Sequence, residues 1–587
     1  LRCAFRFNRR SQKSKGCAAK LLHSLCRSKN QCAVVSSIDR GAFHFSKTYG
    51  DTMQNRVRKQ RVSRRSFLQT AAGLAASLSM QRPLHALNAF EPIGTAAPVP
   101  EATLAADPMR PQFHLLPARN WMNDPNGPIF FQGNYHMFFQ YNPLAAVWGD
   151  MSWNHAISPD MIHWKHLPVA MTPTAGGPDA FGCFSGSCLA DGERVYAVYT
   201  GVVESTPDKA TIRDGSNKLE ESQCLAYSDD PKLRTWTKLP KPIVAQPPPG
   251  LAITGFRDPS AWKQDGMYYM TVGSGIARQG GAVLLYRSRD LGSDQPWEYL
   301  HMLVDGKWSG VPAANPVDSG EMWECPEFFA LDGGHVLIYS TEGKVFWNSG
   351  HLDRATMQFT PKHRGELDLG AFYAPKTQLD AEGRRILWGW IPEKRPEQAM
   401  REAGWSGMMS LPRVLHLDAN GILRMQMLPA LSGLRGAPLS VQTGGQIGTR
   451  AGVQAGVRPK RFVLLRANGE LLCKASRQQP LEFVLSESVT HNALMRVRYE
   501  PTTHAVMVDE ATYVLEPDDL PAIHAYVDGS VISVIISERI GYTKRFYYQH
   551  PTAPDIEAVV SGAGVEAHAW SVDPISSNRL TTPVAQV

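Results

Sequence analysis

Three acidic residues lie in short stretches rich in turn formers: Asp124 in NWMNDPNGP (120–128), Asp258 in FRDPS (256–260) and Glu324 in WECPE (323–327). Each precedes a glycine that reads as a hairpin turn. Asp124 stands nine residues before Gly133, Asp258 eight before Gly266 and Glu324 nine before Gly333. Asp-Pro and Asn-Gly bend a chain for backbone reasons, so Asp124 alone has a purely structural reading. The shared spacing supplies a second one. Acids at one level of several strands that face a common axis crowd together. Crowded carboxylates cost stability unless they are used, shared or protonated. Carboxyl groups whose surroundings push their protonation states apart can work as a pair in acid/base chemistry.

The elements that must position these acids repeat along the chain. FFQGNYHMFFQ, LADGERVYAVYT, WKQDGMYYMTVG, FALDGGHVLIYS and LDAEGRRILWGW each place a glycine turn (133, 192, 266, 333–334, 383) before an aromatic and aliphatic strand. These five hairpins are spaced by roughly 50–75 residues. Between them recur SPDMIHW (158–164), SDDPKLRTW (228–236) and SRDLGSDQPWEY (288–299), each running Ser, Asp, then Trp. Five four-stranded units with aromatic signatures predict an all-β fold with a five-bladed β-propeller over 108–434. A β-sandwich with coincidental hairpins is the competing reading. From 435 to 587 the Ser/Asp/Trp repeat stops and short strands such as LEFVLS and AIHAYVDGSVISVIIS predict a C-terminal β-sandwich.

At the level of the acids, the other two units offer Cys183-Phe184-Ser185 and Phe372-Tyr373-Ala374. Acids, hydroxyls and aromatic faces together suit a sugar, whose hydroxyls pair with polar groups and whose C–H faces stack on rings. Asn123, Gln140, Trp148 and Trp153 are further candidates to line such a pocket, although each Trp reads equally well as core. Arg257 adjoins Asp258, and strict strand alternation would point it the other way, into a wall between sheets.

The 587 residues carry a formal charge of +7, but this charge is unevenly placed. Residues 1–65 hold 17 basic and 2 acidic side chains, so the remainder is at −8. A nucleic-acid surface is therefore not implied by the whole-chain charge. Residues 53–89 read as an export signal: a basic start, the pair Arg64–Arg65 in SRRSFLQ as in a twin-arginine signal, then a short Ala/Leu run too weak to span a bilayer. Met53 stands where such a signal would begin, and 1–52 read as an upstream extension, the alternative being a basic disordered arm. Residues 90–107 read as a linker. The expected location is periplasmic or extracellular, with no membrane insertion after signal cleavage. Beyond the front segment, Cys183, Cys188, Cys224, Cys325 and Cys473 have neither disulfide-framework nor C-x-x-C spacing, and no metal is expected.

The motifs together carry a resemblance. NWMNDPNGP, FFQYNP, WGDMSWNHAISPDMIHW, FSGS, FRDP, WECPE and GELDLGAFYAPKTQLDAEGRRILWGW, in this order over roughly 108–430, look like glycoside hydrolase family 32. That family includes invertases, levanases, inulinases and fructosyltransferases. The resemblance implies a propeller plus sandwich, no cofactor, and a small or polymeric fructoside as partner. It implies Asp124 as nucleophile, Glu324 as general acid/base and Asp258 as transition-state stabiliser. Asn123, Gln140, Trp148, Trp153, Phe184, Ser185, Arg257 and Tyr373 are the expected substrate-binding set. Ser152, Cys183 and Lys376 depart from the family pattern, which bears on substrate preference. Trp323 and Cys325-Pro326, poor solvents for charge, are expected to raise the Glu324 pKa. Transfer to a sugar, an inverting pentose-processing hydrolase and a non-catalytic glycan-binding propeller remain alternatives.

Overall fold

A computed structural model describes residues 98–292, 296–442, 458–548, 552–576 and 580. The extension and the export signal lie outside the described residues. Among the described residues, five antiparallel units of four strands follow one another along the chain, three of them extended by further strands. Sheet I comprises Asn120–Phe131, Asn134–Asn142, Ser152–Ser158 and Lys165–Met171. Sheet II comprises Gly182–Asp191, Arg194–Glu204, Leu219–Ser228 and Thr237–Lys238. Sheet III comprises Ile253–Gln264, Met267–Ile276, Gly280–Ser288 and Glu298–Asp305. Sheet IV comprises Glu324–Leu331, Gly334–Thr341, Lys344–Asp353 and Gln358–Asp368. Sheet V comprises Tyr373–Leu379, Arg385–Ile391, Arg413–Leu417 and Leu423–Met427.

Each predicted glycine turn joins the first two strands of a sheet. The turns at 133, 266 and 333 have positive φ at both central residues, because Gln132, Asp265 and Asp332 are also left-handed. That is the backbone of the tight turn whose twist matches paired strands. The Ser/Asp/Trp repeat also has a structural meaning: it joins the third strand to the fourth. Asp160 accepts from the backbone N–H of Ile162 and His163, and Trp164 Nε1 donates to the carbonyl of left-handed Met161. Asp230, Leu233 and Trp236 repeat this arrangement in sheet II. Sheet IV keeps the turn without the signature, with Asp353 accepting from Ala355 and Met357 left-handed.

The first strands of successive sheets pack against one another, and that of sheet V packs against that of sheet I. A clasp completes the sequence. Trp405–Ser406 pairs in parallel with Asn120–Trp121, while Met408–Met409 pairs with Trp390–Ile391 of sheet V.

Residues after 435 build two further layers. One contains Asn468–Lys474, Ala522–Asp528, Val531–Ile536, Ile540–Arg545 and Glu566–Val572. The other contains Lys460–Leu464, Leu481–Glu487, Ala493–Glu500 and Ile556–Ser561. Their inner faces share one core, with Phe483 and Val497 from one layer and Val534 and Ala525 from the other. Sheet IV runs into the first layer through a parallel pair, Asp368 with Gly541. Buried Asp368 holds this junction, accepting from Arg413 Nη2 (2.7 Å), Thr543 N (2.9 Å) and Thr543 Oγ1 (2.8 Å).

One expectation fails here. Part of the expected linker is built into the fold: Glu101–Ala106 is a helix whose buried Leu104 packs with Leu116, Ile391, Trp405 and Val531. A single apolar anchor in an Ala-rich stretch left too little periodicity to read.

Candidate active site

Every first strand carries one extra residue at the same level. Residues 122–125 face 141–139, 183–186 face 201–199, 257–260 face 273–271, 324–327 face 340–338, and 373–376 face 390–388. A bulge of this kind bends the strand and re-aims its side chains. In sheets III, IV and V it centres on a left-handed residue followed by proline: Asp258 (φ 63°), Cys325 (φ 49°) and Ala374 (φ 51°). Left-handed non-glycine residues are uncommon and cluster at functional sites.

The bulges explain how consecutive residues reach one place. Strict alternation would send Arg257 away from Asp258. Instead Arg257 donates to Glu324 Oε1 through Nε (3.0 Å) and Nη2 (2.8 Å), while Asp258 Oδ2 accepts from Cys325 N (2.9 Å). The register also corrects the equal-level reading. Arg257 and Glu324 each precede the bulge of their sheet, so Asp258 aligns with Cys325, one residue beyond Glu324.

The three acids come together around Cys325. Its Sγ lies 3.6 Å from Asp124 Oδ2 and 3.5 Å from Asp258 Oδ2. Asp124 accepts from Ser185 Oγ (2.6 Å) and from Asn123 Nδ2 (3.1 Å), and Trp121 Nε1 orients Asn123 (2.7 Å). Burial raises the Asp124 pKa; the Ser185 hydroxyl opposes it, Glu324 reinforces it, and Asn123 and Cys325 oppose it. Glu324 accepts from Tyr373 OH at Oε2 (2.7 Å) beside its Arg257 contacts. The apolar surroundings expected for Glu324 are absent from its described contacts. The Trp323 ring instead stacks on Tyr339 at 3.8 Å, and Cys325 turns its thiol to the two aspartates.

Asp258 is buried and its carboxyl is pushed up to about 7, chiefly by burial, with Arg257 opposing and Glu324 and Asp124 reinforcing. Acids this close titrate as a set. An acid whose pKa rises on folding stabilises the fold most below its unfolded value and loses that contribution as pH rises through its folded value. Asp258→Asn is therefore expected to melt a few degrees above the parent at pH 8 and close to it at pH 4. Equal differences at both pH values, read by calorimetry, would show that Asp258 does not titrate in this window.

Other expected residues fall into two groups. Half-buried Trp148, Phe184 and Tyr373 join Trp121 and Trp390 in one aromatic cluster, with Trp148 edge-on to Phe184 at 6.0 Å. Trp153 and Gln140 are buried and reach the first strand of sheet II. Trp153 is 0% exposed and donates to the Phe184 carbonyl (2.9 Å), while Gln140 donates to the Cys183 carbonyl (2.9 Å). Both thereby hold the strand carrying Phe184 and Ser185. Of the departures, Lys376 is buried against Glu327 at 3.0 Å, and Cys183 Sγ lies 3.2 Å from Lys238 Nζ. Ser152 Oγ donates to the Asp150 carbonyl at 3.3 Å.

Sequence reading missed Cys325 as the centre of the cluster, and it missed Glu221 and Thr200. Thr200 Oγ1 accepts from Asp258 N (2.8 Å) and holds the left-handed residue in place. The ECP spacing within WECPE was the available signal for Cys325; the other two lie in strands without a motif.

Three carboxyl groups beside an arginine fork and an aromatic cluster are the kinds of group that a carboxylate-dependent glycosidase uses. Comparison with known proteins agrees. The profile of the Glycosyl hydrolases family 32 N-terminal domain matches residues 114–426, and the chain belongs to that family. It is 36% identical over 346 residues to sucrose-6-phosphate hydrolase of Escherichia coli, covering 55% of this chain and 66% of that protein. It is 35% identical over 372 residues to beta-fructofuranosidase, insoluble isoenzyme 1, of Oryza sativa subsp. indica, covering 58% and 59%. The chain thus spans about three fifths to two thirds of these relatives. The Bombyx mori GH32 beta-fructofuranosidase, in a variant solved with sucrose, superposes with a TM-score of 0.66 at 26% identity, covering 81% of this chain and 96% of that one.

Proposed function

We propose that the protein is a retaining fructoside hydrolase, built as a five-bladed propeller (108–434) with a β-sandwich (435–587). Its substrates are terminal β-D-fructofuranosides: sucrose, raffinose, or fructans such as levan and inulin. The observation that carries this reading is the difference between the two reacting carboxyl groups. Asp124 is fed by hydroxyl, amide and thiol donors, whereas Glu324 is held by a guanidinium and a phenol.

Asp124 attacks the anomeric C2 from one face of the ring and forms a fructosyl-enzyme ester. The Ser185 hydroxyl holds Oδ2 and the Asn123 amide holds Oδ1, which orients the carboxylate for attack. Glu324 protonates the departing oxygen and then, as a carboxylate stabilised by Arg257 and Tyr373, takes a proton from the incoming water. Asp258 binds fructose hydroxyls as the ring flattens toward an oxocarbenium ion. Trp148, Phe184 and Tyr373 receive the C–H faces of the sugar. The relatives named for sucrose or sucrose 6-phosphate support a fructose-bearing substrate. Export rests on Arg64–Arg65 in the sequence, and the mass of the mature N-terminus tests it.

The test is turnover of sucrose, sucrose 6-phosphate, raffinose, inulin and levan, with products followed by chromatography and proton NMR. Free fructose released first as the β-anomer is expected. Fructo-oligosaccharides accumulating at high sucrose would make the protein a transferase. First release of the α-anomer would exclude the ester, and binding without turnover would exclude catalysis.

A further inference from the structure

Arg257 joins two acids, only one of which belongs to the proposed reaction. Its Nη1 donates to Glu221 Oε1 (2.9 Å), while Nε and Nη2 donate to Glu324 Oε1. Glu221 sits in the third strand of sheet II and is 0% exposed. Its other oxygen accepts from Phe256 N (2.7 Å) and Thr211 Oγ1 (2.9 Å), so it is fixed from three sides. Gly255 makes room for the fork: a Cβ there would lie 2.8 Å from Arg257 Nη1 and 2.6 Å from Met322 Sδ.

The arrangement asks for an explanation beyond stability. Arg257 already has a carboxylate partner in Glu324, and burying a second charge carries its own desolvation cost. The electrostatics supply one. A guanidinium paired only with Glu324 would favour its ionised form strongly in a poorly hydrated site. The first chemical step needs the opposite form. A fixed negative charge on the far side of the fork cancels part of that field without moving the fork.

We infer that Glu221 is a positioning residue for the acid/base step: it sets the orientation of Arg257 and offsets part of its charge, so that Glu324 can carry the proton that the leaving oxygen receives. This inference rests on the acid/base role of Glu324. The charged and titratable groups facing Glu324 are Arg257 and Asp258 from sheet III, Tyr373 from sheet V, Asp124 from sheet I, its neighbour Cys325, and Asp318 from the short helix Pro316–Ser319. Glu221→Gln changes the chemical identity of none of these groups.

The experiment is the pH dependence of kcat/KM on sucrose for the parent, Glu221→Gln and Glu221→Asp. In Glu221→Gln the uncancelled Arg257 charge makes Glu324 a stronger acid, so the alkaline limb should fall earlier by about one pH unit. Glu221→Asp keeps the charge and should keep the limb near its parental position. A Glu221→Gln profile lowered in height but unmoved in pH would reduce Glu221 to a structural support and overturn the inference. Should that variant not fold, Thr211→Val removes a hydrogen bond from the same carboxylate and should move the limb the same way by a smaller amount; no movement overturns the inference equally. Glu324→Gln separates the two readings. An alkaline limb persisting in that variant means that the acid is another group, whatever Glu221 does.

Discussion

Asp124→Ala is expected to lose at least about four orders of magnitude in kcat on sucrose while its melting temperature stays within a few degrees of the parent. Four decades correspond to about 5 kcal/mol of barrier. Removal of the group proposed to form the covalent bond leaves only binding and acid assistance. The fold should tolerate the loss because the carboxylate is already raised by burial, so its removal frees Ser185 and Cys325 from a poorly solvated charge. Azide discriminates further. In the larger space left by Asp124→Gly, it enters from the nucleophile's face and should yield fructosyl azide of inverted configuration. Wild-type-like hydrolysis by Asp124→Ala would remove this residue from the mechanism.

Glu324→Ala should fail differently. The loss on sucrose is expected to be about 10^2- to 10^4-fold, the usual contribution of a general acid or base. It should shrink for a fructoside whose leaving group departs without a proton, because the first step then needs no acid. Ester hydrolysis still lacks its base, so the fructosyl-enzyme should accumulate and be visible by mass spectrometry. Azide, which needs no deprotonation, should release it as the retained azide. The two variants thus give opposite stereochemistry with one small anion. Identical azide products from both would contradict the division of labour between Asp124 and Glu324.

Much of this was legible in the chain. The hairpins could be read because a tight turn between paired strands demands left-handed backbone, which glycine supplies at 133, 192, 266, 333 and 383. The acids could be found because turn and acid keep a near-constant interval. What could not be read is where the period of two breaks. A bulge has no composition of its own, so the joint arrival of Arg257 and Asp258 was hidden behind the alternation rule. The surroundings of Glu324 were misjudged for the same reason: chain neighbours Trp323 and Cys325 leave in other directions, and its partners come from positions 257 and 373. Trp153 and Gln140 were assigned to the pocket by type, and the type alone gave no sign that Trp153 Nε1 and Gln140 Nε2 donate to the carbonyls of 184 and 183. Glu221 lies in LEESQCLAYS, a stretch with no mark to separate its buried acid from exposed ones.

The clasp between residues 120–121 and 405–406 carries a consequence for biogenesis. A nascent chain emerging from the ribosome can pair sheets I to IV one at a time from local hairpins. It cannot seat the edge of the first until nearly the whole catalytic portion has been synthesised. Contacts this distant are slow to form, because loop closure must precede any gain from them. Premature termination anywhere upstream of Trp405 should therefore yield soluble-looking fragments or aggregates with no partial activity, and the enzyme's competence should switch on abruptly with chain length.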